Sequence, residues 1–314
     1  MIETITLGNF EAGTALSDDC MVFTLPEGEH FGKLTVYTAF PGITVMYNHF
    51  HTNARTASFR YASPIISIDH CRAGRIEWAH TNGSFCYLGE RDVQISAKED
   101  HISSYGFPTG HYHGITVNFD IQEAQKSLIP FQSLFQIDLM QTYQRFCRQK
   151  DFLLRSDEGI QHIFSELYTV QDSCRMGYLR LKVLELLLYL SQLDLSQMQT
   201  EHPYFQRSVV EKIHQMKADL CQRPGEHRTL HQLSQQYQLP ETTIKRCFKA
   251  IYGDSLYAFL KTYRLQTSSE LLRTTDKSIL EIALDIGYEN PSKFISAFKK
   301  QFGITPAQYR KQKR

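Results

Sequence analysis

One short stretch near the C-terminus combines an apolar stripe with a polar, cationic outer face. Phe294 and Phe298 recur at helical spacing and predict the buried side of a helix. A helix of this kind fits the major groove of DNA, where short side chains reach base edges and lysines meet phosphates. Its outward positions are Ser292, Lys293, Ile295, Ser296, Lys299 and Lys300.

A second short helix precedes this one across a tight turn. Gly287 follows its last apolar residue, where a helix end favours a residue that can take positive φ. Asn290 then supplies an N-cap, and Pro291 occupies the first position of the next helix. These signals predict a helix-turn-helix unit. The apolar positions of its first helix are Ile279, Ile282, Ala283 and Ile286.

The same pattern occurs once more, earlier in the chain. Shifted by fifty positions, the segment 230–253 aligns with 280–303, and both copies end on glycine. Two amphipathic helices and a turn are common in proteins. Two copies joined by one long helix, 256–274, indicate a duplicated helix-turn-helix unit. The inward positions of the earlier copy are Leu230, Leu233, Tyr237, Ile244, Cys247, Phe248 and Ile251.

Many positions in residues 208–314 follow one family signature. They are Arg264, Leu265, Leu271, Leu272, Ser278, Ile279, Ile282, Ala283, Gly287, Tyr288, Phe294, Phe298, Lys299, Phe302, Gly303, Thr305, Pro306, Tyr309 and Arg310. On these residues the segment resembles the AraC/XylS family of bacterial transcription regulators. Ser234 and Ser268 stand where the family often has alanine, and Pro240 stands where it has a capping serine. Because Pro240 lacks a side-chain oxygen, we predict a poorly capped first recognition helix.

The resemblance implies which outward side chains contact DNA. Arg246 is the strongest candidate, because arginine can bond two acceptors of guanine at once. Ile295 can pack on a thymine methyl group, although such helix faces can also be merely solvated. The second copy has few long hydrogen-bonding side chains, so we predict that it supplies affinity more than sequence discrimination. The expected base contacts are Thr242, Lys245, Arg246, Pro291, Ser292, Ile295 and Ser296, and the expected phosphate contacts are Lys249, Lys299 and Lys300.

Charge is divided unevenly along the 314 residues. Residues 208–314 contain 18 Lys and Arg against 10 Asp and Glu, whereas residues 1–207 contain 16 against 23. The C-terminal part therefore carries a net charge of +8, which attracts polyanions, and the rest carries −7. We accordingly expect a DNA-binding domain at 208–314, preceded by a linker at 196–207 that has no periodicity.

Residues 1–120 are expected to form a β domain. From Leu34 to Phe119 polar and apolar residues alternate in short runs, separated by turn residues. This rhythm indicates a small barrel or sandwich. The resemblance implies a cupin-like barrel that senses a small-molecule effector. The candidate pocket residues, most of which could equally be core residues, are Tyr37, Tyr47, Arg72, Trp78, Tyr87 and His113.

Two histidine pairs in this β domain raise the question of a metal site. His49 with His51, and His111 with His113, each place two imidazoles on one strand face. Metal cupins have a similar pair followed by a glutamate ligand, but Arg55 stands near that position here. We therefore expect histidines on a domain rim, no metal and no cofactor. No arrangement of nucleophile, base and acid stands out, so we do not expect an enzyme.

Over residues 121–195 the apolar residues recur with the period of an α-helix. We expect helices at 122–135, interrupted by Pro130, and at about 136–149, 156–171 and 177–193. The last has apolar residues at spacings of four and three, which is typical of a coiled-coil seam. A helix buried within the domain is the alternative. The expected dimer interface is Leu179, Val183, Leu186, Leu190 and Leu193.

Together these patterns predict an α+β protein. We expect an N-terminal cupin-like β-barrel with a helical dimerisation segment, and a C-terminal all-α domain with two helix-turn-helix units. Scattered cysteines and the absence of a visible secretory signal or membrane-spanning run favour a cytoplasmic protein, and the leucine seam favours a homodimer. Its expected partners are promoter DNA, an effector and, since the resemblance favours activation, RNA polymerase. Two alternatives remain: an N-terminal domain that only dimerises, or a metal-binding cupin enzyme with an appended DNA-binding module.

Overall fold

The chain divides into two compact units, Met1–Phe205 and Gln206–Arg314. A computed structural model describes residues 13–24, 31–52, 56–57, 64–98, 102–147, 152–155, 157–195 and 203–313. Arg55 and positions 196–202 of the expected linker lie outside these residues. No helix among the described residues combines the length and the apolar character needed to cross a membrane.

The first unit is rich in β-strands, as the alternating pattern predicts. The strands are β1 (Thr14–Ser17), β2 (Cys20–Thr24), β3 (Phe31–Phe40), β4 (Ile43–His51), β5 (Thr56–Ala57), β6 (Ile65–Gly74), β7 (Ile76–His80), β8 (Ser84–Leu88), β9 (Asp92–Lys98), β10 (Ile102–Gly106), β11 (His111–Asp120), β12 (Phe152–Arg155) and, at the unit boundary, β13 (Phe205–Gln206). The larger sheet has the order β1-β2-β3-β4-β11-β6-β9-β12, and the smaller has the order β13-β8-β7-β10-β5. Over the described residues neither order returns to its first strand. The expected closed barrel is therefore observed as two open sheets.

Four helices of the first unit cover one face of the larger sheet. They are α1 (Ile121–Phe135), α2 (Leu139–Phe146), α3 (Glu158–Thr169) and α4 (Arg175–Gln192). The first three begin at aspartate caps, Asp120, Asp138 and Asp157, whose carboxylates accept backbone N–H groups of the first turn. Sheet residues such as Val45 and Val117 share one core with helix residues of α1 to α4.

Two details of the segment 121–195 differ from the sequence prediction. Helix α1 continues through Pro130 instead of being interrupted there. Pro130 lies on the exposed side of the helix, where water can satisfy the carbonyl that loses its donor. The segment is also not wholly helical, because β12 adds a strand at the edge of the larger sheet by pairing with β9. Phe152, Leu153 and Leu154 are all buried there.

The leucine seam of α4 does not form a surface. All five expected interface residues lie in the core of their own unit, at 8% exposure or less. They are Leu179, Val183, Leu186, Leu190 and Leu193. The prediction that these residues form a dimer interface is therefore corrected. Their side chains already pack against the larger sheet and against α3. The outward apolar residues of this helix are Leu181 and Leu188, at 64% and 36% exposure.

Between Arg207 and Lys313, the second unit has seven helices and contains both predicted helix-turn-helix units. The helices are α5 (Arg207–Gln222), α6 (Leu230–Tyr237), α7 (Glu241–Tyr252), α8 (Leu256–Thr274), α9 (Ile279–Asp285), α10 (Pro291–Phe302) and α11 (Pro306–Lys313). Helices α6 and α9 begin with equivalent capping boxes, Thr229 with Gln232 and Ser278 with Glu281. Helices α7 and α10 both end on a glycine in the left-handed region. The internal repeat is thus confirmed down to its helix ends.

A close backbone approach joins the loop after α5 to the turn of the second helix-turn-helix unit. A Cβ built on Gly287, whose φ is +83°, would lie 2.8 Å from the carbonyl oxygen of Gly225. The His227 Nε2 atom lies 2.7 Å from the carbonyl oxygen of Gly287. Arg264 of α8 donates to the carbonyl oxygens of Pro224 and Glu226, at 2.6 and 3.0 Å. Glycine is required at this crossing for both conformation and space.

We expect Gly287→Ala to destabilise the second unit more than Gly303→Ala does. Both glycines have positive φ, so either change adds strain of about 1 kcal/mol. A Cβ on Gly303 meets nothing within 4 Å, whereas one on Gly287 must displace the Gly225 backbone, at an additional cost of about 1–3 kcal/mol. Urea unfolding of residues 206–314 measures the difference. Equal losses for the two variants would contradict the close approach.

Candidate nucleic-acid interface and ligand cavity

Helix α7 separates its buried and exposed side chains as its period predicts. Ile244, Cys247, Phe248 and Ile251 are buried, and the Phe248 ring packs edge-on against Phe259 of α8 at 5.4 Å. No side-chain cap begins the helix at Pro240, as predicted. The outward side chains expected to contact DNA are Thr242, Lys245, Arg246 and Lys249, and all four are exposed.

Helix α10 presents an equivalent face in the second copy. Phe294 and Phe298 are fully buried, and the Asn290 side chain caps the helix by accepting from the N–H groups of Ser292 and Lys293. Pro291 is half-buried at the first position. The exposed residues expected to contact DNA are Ser292, Ile295, Ser296, Lys299 and Lys300. Ile295 is 37% exposed, which leaves its side chain accessible to a base methyl group.

The cationic side chains of these two faces are available to an anion. Within residues 203–313, no carboxylate pairs with Lys245, Arg246, Lys249, Lys299 or Lys300. Helix α8 joins the two copies with 19 residues, which corresponds to about 28 Å of helix. That length is comparable with the rise of one DNA turn, about 34 Å. The unit therefore carries two outward-facing helices joined by a helix of about this length.

Comparison with known proteins identifies this second unit. Residues 233–312 match a family model described as "Helix-turn-helix domain". The C-terminal unit is a helix-turn-helix domain of the AraC type. The chain is 33% identical over 90 residues to "HTH-type transcriptional regulator MtrA" of Neisseria gonorrhoeae, which covers 29% of this chain and 30% of that protein. It is 31% identical over 103 residues to "HTH-type transcriptional activator RhaR" of Mannheimia succiniciproducens, which covers 33% of this chain and 37% of that protein.

Solved structures also match this chain. One is a transcriptional regulator from Chromobacterium violaceum, described among AraC-type DNA-binding domain-containing proteins. It is 24% identical with a TM-score of 0.31, and the match covers 33% of this chain and 92% of that chain. The two curated relatives above are matched over only about a third of their own lengths.

The first unit contains a cavity of about 540 Å³ between α3 and the larger sheet. Arg72 and Arg91 approach it from the sheet side, and Gln161 and Tyr168 approach it from α3. The Arg72 guanidinium lies over the Tyr168 ring, 4.6 Å from its centroid. This cation–π contact orients a charged side chain at the cavity wall. The lining therefore combines two cations and one carboxylate, Glu158, with an aromatic ring and an amide.

The structure divides the six predicted pocket residues among three places. Arg72 lines the cavity, and Tyr47 reaches the same region through an edge contact with Tyr168 at 6.5 Å. Tyr37 packs on Tyr47, 5.7 Å away. Trp78 and Tyr87 are buried in the smaller sheet, and neither is among the residues that line this cavity. His113 lies in a cluster of histidines on the larger sheet.

His70 stands at the base of the cavity in a closed hydrogen-bond network. Its Nε2 atom lies 3.1 Å from Gln161 Oε1, and its Nδ1 atom lies 3.2 Å from the Tyr168 hydroxyl. Because Gln161 donates its own amide N–H to the carbonyl of Arg91, its Oε1 accepts from His70 Nε2. A neutral His70 can then accept at Nδ1 from the Tyr168 hydroxyl. Burial is the main cause that lowers the pKa of His70 to about 4.

Most of the residues that line this cavity were not identified from the sequence, although the spacing of two residues on α3 indicated a shared face. Gln161 and Tyr168 are seven positions apart on α3, so helical period places them on the same face. His70 lies on β6 and Arg91 lies in the turn before β9, and neither is adjacent in sequence to α3. Their proximity depends on the sheet order, which strand rhythm alone does not give.

We expect a pH dependence of stability that comes from His70. Its pKa in the folded protein, about 4, lies below the usual 6.5, so the unfolded chain binds more protons between these values. The contribution is complete above pH 6.5 and is lost as the pH falls toward 4, by about 2 kcal/mol at pH 5. His70→Gln removes this slope. Urea unfolding of both proteins at pH 8 and pH 5 gives the difference, and identical pH slopes would contradict a neutral buried imidazole.

Proposed function

We propose that this protein is a transcription regulator that binds double-stranded promoter DNA through α7 and α10. The observation that carries the proposal is the duplication itself. Two helices of matching polarity expose short polar and cationic side chains, and one 19-residue helix holds them apart. The net charge of +8 over residues 208–314 favours a polyanion as the ligand.

The two copies are expected to read DNA unequally. Helix α7 offers Lys245 and Arg246, whose long side chains can reach hydrogen-bond acceptors on base edges. Helix α10 offers two serines and Ile295 toward the groove, with Lys299 and Lys300 farther along the helix. Short hydroxyls and a methyl contact discriminate less strongly than a bidentate arginine. The second copy thus contributes mainly affinity and register, through phosphate contacts.

The first unit is proposed to bind the controlling effector in the cavity beside α3. A volume of about 540 Å³ is within the range that holds small molecules. The two cations Arg72 and Arg91 outnumber the one carboxylate, Glu158, and so favour an effector with an anionic group such as a carboxylate. The Tyr168 ring favours a flat apolar part. Helix α3 packs directly on α4. A ligand that fills the cavity can therefore shift the position of α4, which gives binding a route to a global change.

The proposal is tested by selecting bound duplexes from genomic DNA with the full-length protein at about physiological salt. We expect a recurring site with two recognised segments about one helical turn apart, or about 10 base pairs. If the full-length protein selects no recurring site, repeating the selection with residues 206–314 alone distinguishes two explanations. If only this fragment selects a site, the first unit holds the domain inactive. If neither protein selects one, the proposed sequence-specific binding is wrong.

Arg246→Ala is expected to relax base preference more than Ser296→Ala does. A bidentate contact to guanine discriminates by about 1–3 kcal/mol, and the alanine variant should lose most of this at one position of the first segment. Ser296→Ala should weaken binding with little change in preference. Selection with each variant gives base frequencies at every position. The unequal division between the copies is refuted if Ser296→Ala produces the larger loss of preference.

A homodimer is also proposed, with its contact on the outward face of α4. Leu181 and Leu188 are seven positions apart, which places them on the same side of the helix. Their exposure is unfavourable in a monomer and would be relieved by a second copy. The buried leucine stripe on the other side of α4 fixes which face remains available.

Leu181→Glu is therefore expected to convert the dimer to a monomer in sedimentation experiments at micromolar concentration. A charge placed at an apolar contact must be buried without a partner, which is strongly unfavourable. Leu16→Glu is a matched control, because Leu16 on β1 is equally exposed, at 66%, and lies on a different element. A wild-type protein that sediments as a monomer, or a Leu181→Glu variant that stays dimeric, would show that this face is not the interface.

A further inference from the structure

Three imidazole rings meet on one face of the larger sheet, and none of them is among the residues that line the cavity described above. β4 and β11 pair in a register that sets His49 opposite His113 and His51 opposite His111. Because alternate residues of a strand share a face, all four rings project from the same side. The Nε2 atom of His51 lies 3.0 Å from Nε2 of His49 and 2.9 Å from Nε2 of His113.

Hydrogen bonding alone does not account for this convergence. The Nε2 atom of a neutral imidazole has one in-plane position, which holds either a proton or a lone pair. The His51 Nε2 atom can therefore make one good hydrogen bond, yet it faces two nitrogen atoms at hydrogen-bond distance. If all three rings are neutral, the single proton or lone pair on His51 Nε2 serves only one of its two neighbours with good geometry. A cation placed among the three nitrogens would satisfy every lone pair at once.

The distances are those of a metal site that is nearly formed. Nitrogen ligands lie about 2.0–2.1 Å from Zn²⁺, so two of them in a tetrahedral arrangement are about 3.3 Å apart. One nitrogen from each of His49, His51 and His113 lies within 4.8 Å of the others. Small side-chain rotations are enough to bring them to a common centre. We propose that these three histidines bind one divalent transition-metal ion of the Zn²⁺ class.

The surroundings favour three protein ligands and an open fourth position. His49 and His51 are exposed and His113 is half-buried, so one side of the centre faces solvent. Phe31 packs edge-on against His49 with a centroid distance of 5.3 Å, which restricts the orientation of that ring. His111 is set apart, since its Nδ1 atom lies 3.3 Å from the carbonyl of Thr109. Three histidines with a free position can take water or an oxygen donor of a small molecule.

Two nearby cations oppose the ion, Arg72 beside His113 and Lys33 beside His49. Lys33 of β3 lies opposite His49, and its ammonium group is a like charge on the same sheet face. Its side chain is exposed and flexible, so solvent screens the repulsion. No carboxylate joins the cluster among the described residues, and we therefore infer imidazole as the only ligand type. That donor set suits Zn²⁺, Ni²⁺, Cu²⁺ and Co²⁺ better than Mg²⁺ or Ca²⁺.

Titration of the full-length, tag-free protein with Co²⁺ at neutral pH tests the site. We expect one ion per chain, with the visible absorption of cobalt bound by nitrogen ligands, and displacement by an equivalent of Zn²⁺. His51→Gln and His113→Gln should each weaken binding by at least about tenfold. His162→Gln is the control, because His162 is an exposed histidine of α3 outside the cluster. Circular dichroism of each variant confirms that the fold is kept.

Three results would overturn the proposal. The first is no saturable Co²⁺ binding by the wild-type chain. The second is binding that His51→Gln leaves unchanged or that His162→Gln weakens equally. The third is a thiolate-to-cobalt charge-transfer band that persists in His51→Gln, since that would place the ion on a cysteine such as the exposed Cys174. Because DNA need not be present, failure here leaves the proposed regulator function untouched.

Discussion

The second unit depends on the backbone crossing of Gly225 and Gly287. Two helix-turn-helix units can address one duplex only if their recognition helices keep a fixed separation and orientation. Helix α8 sets the separation, but a single connecting helix leaves rotation about its ends. The crossing removes that freedom, because the loop after α5 sits directly on the turn between α9 and α10. Arg264, from the middle of α8, holds the same loop by two hydrogen bonds.

The sequence was most informative where structure is local. Helix period, the caps Asn290 and Ser278, and the terminal glycines are all set within a few residues of the element they define. Two serines that depart from the family pattern also have local explanations. Ser234 donates to the carbonyl of Leu239, and the buried Ser268 donates to the carbonyl of Leu265. A hydroxyl is tolerated in place of alanine because the preceding or following turn supplies an acceptor.

Prediction failed where an outcome depends on which neighbour covers a face. The stripe from Leu179 to Leu193 has the spacing of a dimer seam, and the same spacing serves a helix packed on its own sheet. Periodicity identifies the apolar face but does not say what buries it. Strand β12 was missed for a similar reason, since four residues between helices become a strand only when β9 is beside them. The rule that a proline interrupts a helix holds for buried turns, but Pro130 is exposed and α1 continues through it.

The cavity and the histidine cluster also depend on which elements lie next to each other, and their residues are far apart in the sequence. Each histidine pair could be seen in the sequence, but the meeting of His51 with His113 requires the pairing of β4 with β11. A one-residue slip in that register would turn one pair to the opposite face of the sheet. Nine successive residue pairs between the two strands fix the register, and buried residues such as Val45 and Val117 hold it. The same apolar side chains that build the core therefore bring the exposed imidazoles together.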